Sequence, residues 1–149
     1  MKNNVNIKNK KASYEFELIE KFTAGIQLVG TEIKSIRESK AEISSAFCQL
    51  VKGELFIKNM YISEYTFGNV NNHEPVRDRK LLLNKRELYK LSKKTTEKGL
   101  SIIPLRLFLS KRGFAKIEIA IGRGKKLHDK RESLKQKDAK RSIDRAMKD

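Results

Sequence analysis

Cysteine occurs once in this 149-residue sequence and proline twice. A lone Cys48 cannot close an intramolecular disulfide, and no grouping of Cys and His has zinc-ligand spacing, so neither a disulfide framework nor a zinc finger is expected. Within Ala46-Phe-Cys-Gln-Leu-Val51 that cysteine reads as a small buried apolar residue rather than a nucleophile. Also missing is an apolar run near the ~18 residues that a membrane helix needs, and Met1-Lys-Asn-Asn-Val-Asn-Ile7 holds no secretory apolar stretch. The expectation is a cytoplasmic protein that does not enter membranes. Hydrophobic residues make up 38%, which supports a packed core for only part of the chain.

Catalytic signatures are lacking as well. Gly122-Arg-Gly-Lys-Lys126 does not have the G-x-x-x-x-G-K-[S/T] spacing of a phosphate loop. His73 and His128 lie far apart with no Ser or Cys partner in a nucleophilic motif, and His73 reads as a solvated loop residue. Glu15 and Glu17 alternate with apolar neighbours and read as the solvent face of a strand. A non-enzyme is expected, with no cofactor and no metal.

Positive charge is in excess: 34 Lys and Arg against 18 Asp and Glu give a net charge of +16 and a pI near 10.0. Such a surface seeks a polyanion, nucleic acid first and an anionic membrane second. The charge is uneven: residues 1–11 carry +4, residues 12–121 carry +6 and residues 122–149 carry +6. Three segments follow: a basic arm over 1–11, a folded domain over 12–121 and a basic tail over 122–149. The tail's apolar side chains beyond residue 127 are few, yet it lacks Pro beyond residue 121 and Gly beyond residue 124. It is therefore expected to be disordered alone and helical on a surface that accepts its charge.

The middle segment reads mainly as short strands. Tyr14-Glu-Phe-Glu-Leu18 alternates at period two. Phe47 to Val51 and Glu54 to Ile62 flank Lys52-Gly53 as a hairpin, and Leu100 to Leu109 joins Phe114 to Ile121 through Ser110-Lys-Arg-Gly113. At least five strands are expected. Asn84 with Glu87 forms a capping signature that starts a helix over 85–97, with Gly99 as its stop. Gly30 to Arg37 suits a short helix started by Thr31, with a strand as the other reading. The sum is a mainly β protein, a small antiparallel β-barrel with two or three short helices. A polar loop, Gly68 to Pro75, is too long for a simple hairpin.

Two basic constellations stand out. Arg77-Asp-Arg79-Lys80 precedes Leu81-Leu-Leu83, presenting cations suited to RNA phosphates at the rim of an apolar element; a solvated charged loop is the other reading. Lys125-Lys126 and Lys130-Arg131 flank Leu127-His128-Asp129, a cationic run with one stacking ring.

Together, Gly30-Thr-Glu-Ile-Lys-Ser-Ile-Arg37, Asn59-Met-Tyr-Ile62, Pro75-Val-Arg-Asp-Arg-Lys-Leu-Leu-Leu-Asn84, Pro104-Leu105 and Gly124-Lys-Lys-Leu-His-Asp-Lys-Arg131 resemble, in order, the motifs of the SsrA-binding protein family, small protein B. The resemblance runs from about Asn9 to the C-terminus. It implies a barrel resembling an OB-fold with a flexible basic tail, and a bacterial adaptor that binds the tRNA-like part of transfer-messenger RNA and brings it to stalled ribosomes, a monomer when free. It also implies an RNA-binding face of Asn9, Lys10, Lys11, Arg77, Arg79, Lys80, Leu82 and Asn84, although Leu82 reads equally as core. Gly30, Thr31 and Glu32 either shape that face or cap the short helix. The tail residues Lys125, Lys126, His128, Asp129, Lys130, Arg131, Lys140 and Arg141 would meet small-subunit rRNA, with a helix in the empty message channel. Thr23 stands where many relatives have an acid, Ser13-Tyr-Glu-Phe16 replaces a more basic run, and His128 stands for a frequent Tyr. A generic OB-type module for single-stranded or ribosomal RNA is the alternative.

Overall fold

A computed structural model of the chain describes residues 5–67 and 72–125. In order these form β1 (Asn6–Lys8), α1 (Ala12–Glu15), β2 (Phe16–Ile26), α2 (Gly30–Arg37), β3 (Ala41–Glu42), β4 (Phe47–Val51), β5 (Glu54–Lys58), β6 (Tyr61–Ile62), β7 (Arg79–Leu82), α3 (Lys85–Lys94), β8 (Leu100–Leu109) and β9 (Ala115–Gly124). The expected mainly β architecture is present. The main sheet has seven strands in the order β1-β8-β4-β5-β7-β2-β9, all antiparallel, and an added β8–β9 pairing turns it into a ring. The ring closes firmly along β9, which pairs with both β2 and β8, and thinly between β4 and β8, where Cys48 opposite Ile102 is the one registered pair.

Side-chain alternation fills the ring. Ile117, Ile119 and Ile121 of β9 are buried while Lys116 and Glu118 point outward, and Phe22, Ala24 and Ile26 of β2 repeat the pattern. Leu55 and Ile57 of β5 and Leu81 of β7 complete the core from the opposite side. Each such Ile, Leu or Phe side chain removed from water contributes about 1.5–3 kcal/mol of hydrophobic free energy. Cys48 is half-buried against this core, and burial pushes its thiol pKa up, so it is a packing residue and no nucleophile.

Turn chemistry sets the hairpins. Lys52 and Gly53 both have positive φ, 53° and 79°, the form in which a two-residue turn matches strand twist, and Val51 pairs with Glu54. The second strand is shorter than the sequence suggests: Asn59, at φ 60°, turns the chain out after Lys58, and Tyr61–Ile62 pair instead with β3. The strand expected from Tyr14 starts only at Phe16, because Ala12–Glu15 form a helical turn closed by the Glu15 N–H on the Lys11 carbonyl. Helix α3 stops at Lys94 rather than 97, since Thr95 donates its hydroxyl back to the Leu91 carbonyl and caps the end. In α2 the helix reading holds, but Val29, not Thr31, is the N-cap: the Glu32 carboxylate accepts the Val29 N–H at 2.9 Å.

The folded part also outruns its expected limits. Part of the stretch assigned to the basic arm is drawn into the sheet as β1, with Ile7 opposite Leu107, and β9 continues past residue 121 to Gly124, which pairs with Phe16. The remaining tail, from residue 126, lies outside the described residues.

Candidate nucleic-acid interface

Glu32 of α2 is fully buried and is the hub of a polar cluster that the sequence does not announce. Arg77 reaches it from the loop before β7 with Nη2 at 2.5 Å from Oε1 and Nε at 3.1 Å from Oε2, and Arg79 of β7 donates from Nε to Oε2. Burial works against the charge on Glu32, but Arg77, the Val29 N–H and Arg79 outweigh it and hold the carboxyl below its usual range. Burial likewise lowers the pKa of Arg79, and Glu32 opposes that shift. The Arg79 guanidinium spends its other donors on the carbonyls of Met60 at 2.6 Å, Arg77 and Pro75 at 3.1 Å and Glu74 at 3.4 Å.

This arrangement corrects the reading of Arg79 as an RNA contact, since a fully buried guanidinium with every nitrogen engaged cannot meet a phosphate. It shapes the surface instead. Arg77 is about one-third exposed and Lys80 is half-buried, paired with Glu54 at 3.1 Å. His73 is corrected too. It is buried, with Nδ1 2.8 Å from Thr31 Oγ1 and Nε2 2.9 Å from the Ile62 carbonyl, so it ties the loop before β7 to α2. Because Nε2 must donate to the carbonyl, Nδ1 accepts from the Thr31 hydroxyl in the neutral ring. Glu32 and Thr31 therefore both organise this end of the ring, Glu32 as the residue that caps α2 and Thr31 as the partner of His73.

With the arginines turned inward, the outward side chains of the same segment define a groove. Leu82 is half exposed, which settles its equal choice against the core, and it faces Gly25 across the β2–β7 pairing. It lines a surface cavity of about 420 Å³ with Ile26, Leu28, Val29, Ile33 and Phe114. Phe114 is 64% exposed and Val29 48%, so large apolar surface is left open here. Arg37, Arg112 and Lys116 also line it, and no carboxylate is among the described residues that do. An apolar floor with a cationic rim can take an unstacked base and hold its phosphates. Sequence reading missed Phe114, Arg112 and Lys116 because they come from the β8–β9 turn and the adjoining end of β9, which β2 alone brings near β7, with Gly25 opposite both Leu82 and Lys116.

The other expected residues are placed as follows. Asn9 is fixed to a bulge in β8: its N–H donates to the Leu105 carbonyl at 2.8 Å and its Nδ2 to the Pro104 carbonyl at 2.9 Å, while Oδ1 is buried with no hydrogen-bond partner. Lys10 and Lys11 are exposed beside it. Asn84 caps α3, accepting the Glu87 N–H at 2.8 Å, and is itself exposed. Thr23 is exposed opposite Glu118, whose carboxylate is paired with Arg106 at 3.3 Å. Lys125 donates from Nζ to the Ser13 carbonyl at 3.0 Å. Lys126, His128, Asp129, Lys130, Arg131, Lys140 and Arg141 lie outside the described residues. Among the described residues no group of His, Cys, Asp and Glu could hold a metal ion, and no helix is long and apolar enough to cross a membrane.

The family model described as SmpB protein matches residues 6–149. The chain is 53% identical over 149 residues to the SsrA-binding protein of Christiangramia forsetii, covering 100% of this chain and 95% of that one. It is 61% identical over 142 residues to the SsrA-binding protein of Cytophaga hutchinsonii, covering 95% and 93%. A solved structure described as "tmRNA-SmpB: a journey to the center of the bacterial ribosome" resembles it with a TM-score of 0.70 and 39% identity, over 87% of this chain and 94% of that one.

Proposed function

The chain belongs to the SmpB protein family, and from that premise we propose that it is an RNA-binding adaptor that takes the tRNA-like part of transfer-messenger RNA to stalled ribosomes for trans-translation. The observation that carries this reading is the groove beside α2, where exposed Leu82 and Phe114 lie among Arg37, Arg112 and Lys116. Apolar surface takes up an unpaired base, while the cations neutralise the phosphates on either side. Beside it Lys80 and the exposed part of Arg77 extend the positive field and Asn84 supplies an amide group, while Lys10 and Lys11 carry charge at the other end of β2, where Asn9 ties the chain to β8. Buried Arg79 and Glu32 hold the framework and touch no RNA. The adaptor works by positioning and not by catalysis, and needs no cofactor.

The basic tail serves the second partner. Lys125, Lys126, His128, Asp129, Lys130, Arg131, Lys140 and Arg141 meet small-subunit rRNA, and the segment becomes helical in a message channel left empty by a broken message. The protein is a cytoplasmic monomer when free. Competition between the tRNA-like RNA and an unrelated hairpin of equal length tests the proposal. Clear preference for the tRNA-like RNA is expected, and equal affinity would return the protein to the class of generic OB-type RNA binders.

A further inference from the structure

Beside Lys34 of α2 stands a pair of rings that the RNA face described above does not use. Tyr65 and Phe67 meet edge to face with centroids 5.7 Å apart and planes at 67°, and Lys34 Nζ lies 5.4 Å from the Tyr65 centroid. Phe67 is 82% exposed, more than any other large apolar residue described. A solitary exposed ring needs no explanation, but this one is supported. Asn72 closes the segment with two bonds to Tyr65, accepting its N–H at 3.2 Å and donating to its carbonyl at 2.8 Å. Asn72 Oδ1 also accepts the N–H of His73, whose ring is locked between Thr31 and Ile62. The aromatic pair is thus braced to the helix that carries Lys34.

We infer that Tyr65, Phe67 and Lys34 form a second stacking platform for an unpaired base of the same RNA that enters the groove. The inference rests on the functional reading above and adds a contact to it. An edge-to-face pair covers at most one face of one ring, so a π-face stays open for a base. The cation beside Tyr65 suits the phosphate that accompanies such a base. Lys34 and Arg37 are three residues apart on one helix, hence neighbours on its surface at about 5–6 Å between Cβ atoms. Arg37 lines the groove, so a strand leaving the groove passes from Arg37 to Lys34 and reaches Phe67 within a few nucleotides. Between residues 62 and 67 there is one acid, Glu64, and no base, so Lys34 is the cation set against it beside the rings.

The chain has no tryptophan, so Phe67→Trp in the full chain is a single-tryptophan reporter. Its emission should be quenched by saturating tRNA-like RNA. Phe67→Ala should bind that RNA about 5- to 150-fold more weakly, as loss of one stacked base predicts, with the salt dependence unchanged. Lys34→Ala should instead lower the magnitude of the log-log salt slope by about 0.7, one phosphate contact. Unmoved emission at saturation, or wild-type affinity in Phe67→Ala, overturns the platform while leaving the functional reading intact if the wild-type protein still prefers the tRNA-like RNA. Absence of that preference overturns the functional reading itself, and the tryptophan emission then decides the platform separately.

Discussion

Arg79 and Lys80 are neighbours with opposite fates because a strand sends successive side chains to opposite faces. In β7 the inward positions are Arg79 and Leu81 and the outward ones Lys80 and Leu82. The cationic run was legible, but its division was not, because the partner that holds Arg79 is Glu32, 47 residues earlier. Arg79→Ala leaves that carboxylate buried with half its support, and loss of one partner of a buried pair costs about 3–5 kcal/mol. Urea unfolding should show that loss, whereas Leu82→Ala, at a half-exposed site, should unfold almost normally and bind RNA more weakly. Acid should act through the same cluster. Glu32 is held below its ordinary 4.5, so its charge stabilises the fold fully above the unfolded-state value and the contribution fades as pH falls through the folded one. The stability gap between wild type and Glu32→Gln should therefore be widest near neutral pH and shrink below about pH 4.5.

At the level of elements, local signals suffice where the determinant is local. The Lys52-Gly53 turn and the Asn84–Glu87 cap both form as their residues require, the cap with reciprocal bonds of 2.8 and 3.3 Å. Sequence and structure part where distant contacts decide: the early end of the Glu54 strand follows from the β3–β6 pairing, and the burial of His73 from α2. Asn84 has two tasks, a cap and an expected RNA contact, and they can be separated. Asn84→Ala should cost about 1 kcal/mol in thermal or urea unfolding, whereas Asn84→Ser retains a capping oxygen and should unfold nearly as wild type. Both should weaken binding to the tRNA-like RNA in a filter or anisotropy titration, since neither retains the amide.

For the whole molecule, the boundary of the folded part fixes where the tail can be cut. Removal of everything after Lys125 leaves the β2–β9 register from Phe16↔Gly124 onward intact, whereas a cut after Ile121 deletes the pairs of Phe16, Glu17 and Leu18. The first truncation should melt like the full chain and bind the tRNA-like RNA nearly normally, yet fail to support peptide tagging on stalled ribosomes; normal tagging would remove the tail from the mechanism. That the charged ends differ from the middle was visible in composition, but the capture of Asn6–Lys8 by β8 was not, because three residues carry too little pattern to announce a strand. The two ends of the described residues meet in space: β1 lies on β8, and β2 runs along β9. Such pairing joins strands from opposite ends of the described residues, so the cost of closing a long loop comes before the reward of the contact. During synthesis β1 must wait, unpartnered, until β8 has left the ribosome, and β2, which can meet β7 first, lacks most of its register until β9 follows. A message broken anywhere before the codon for Gly124 thus yields a chain lacking part of that closing register, and the protein's own production depends on the complete messages whose failures it answers.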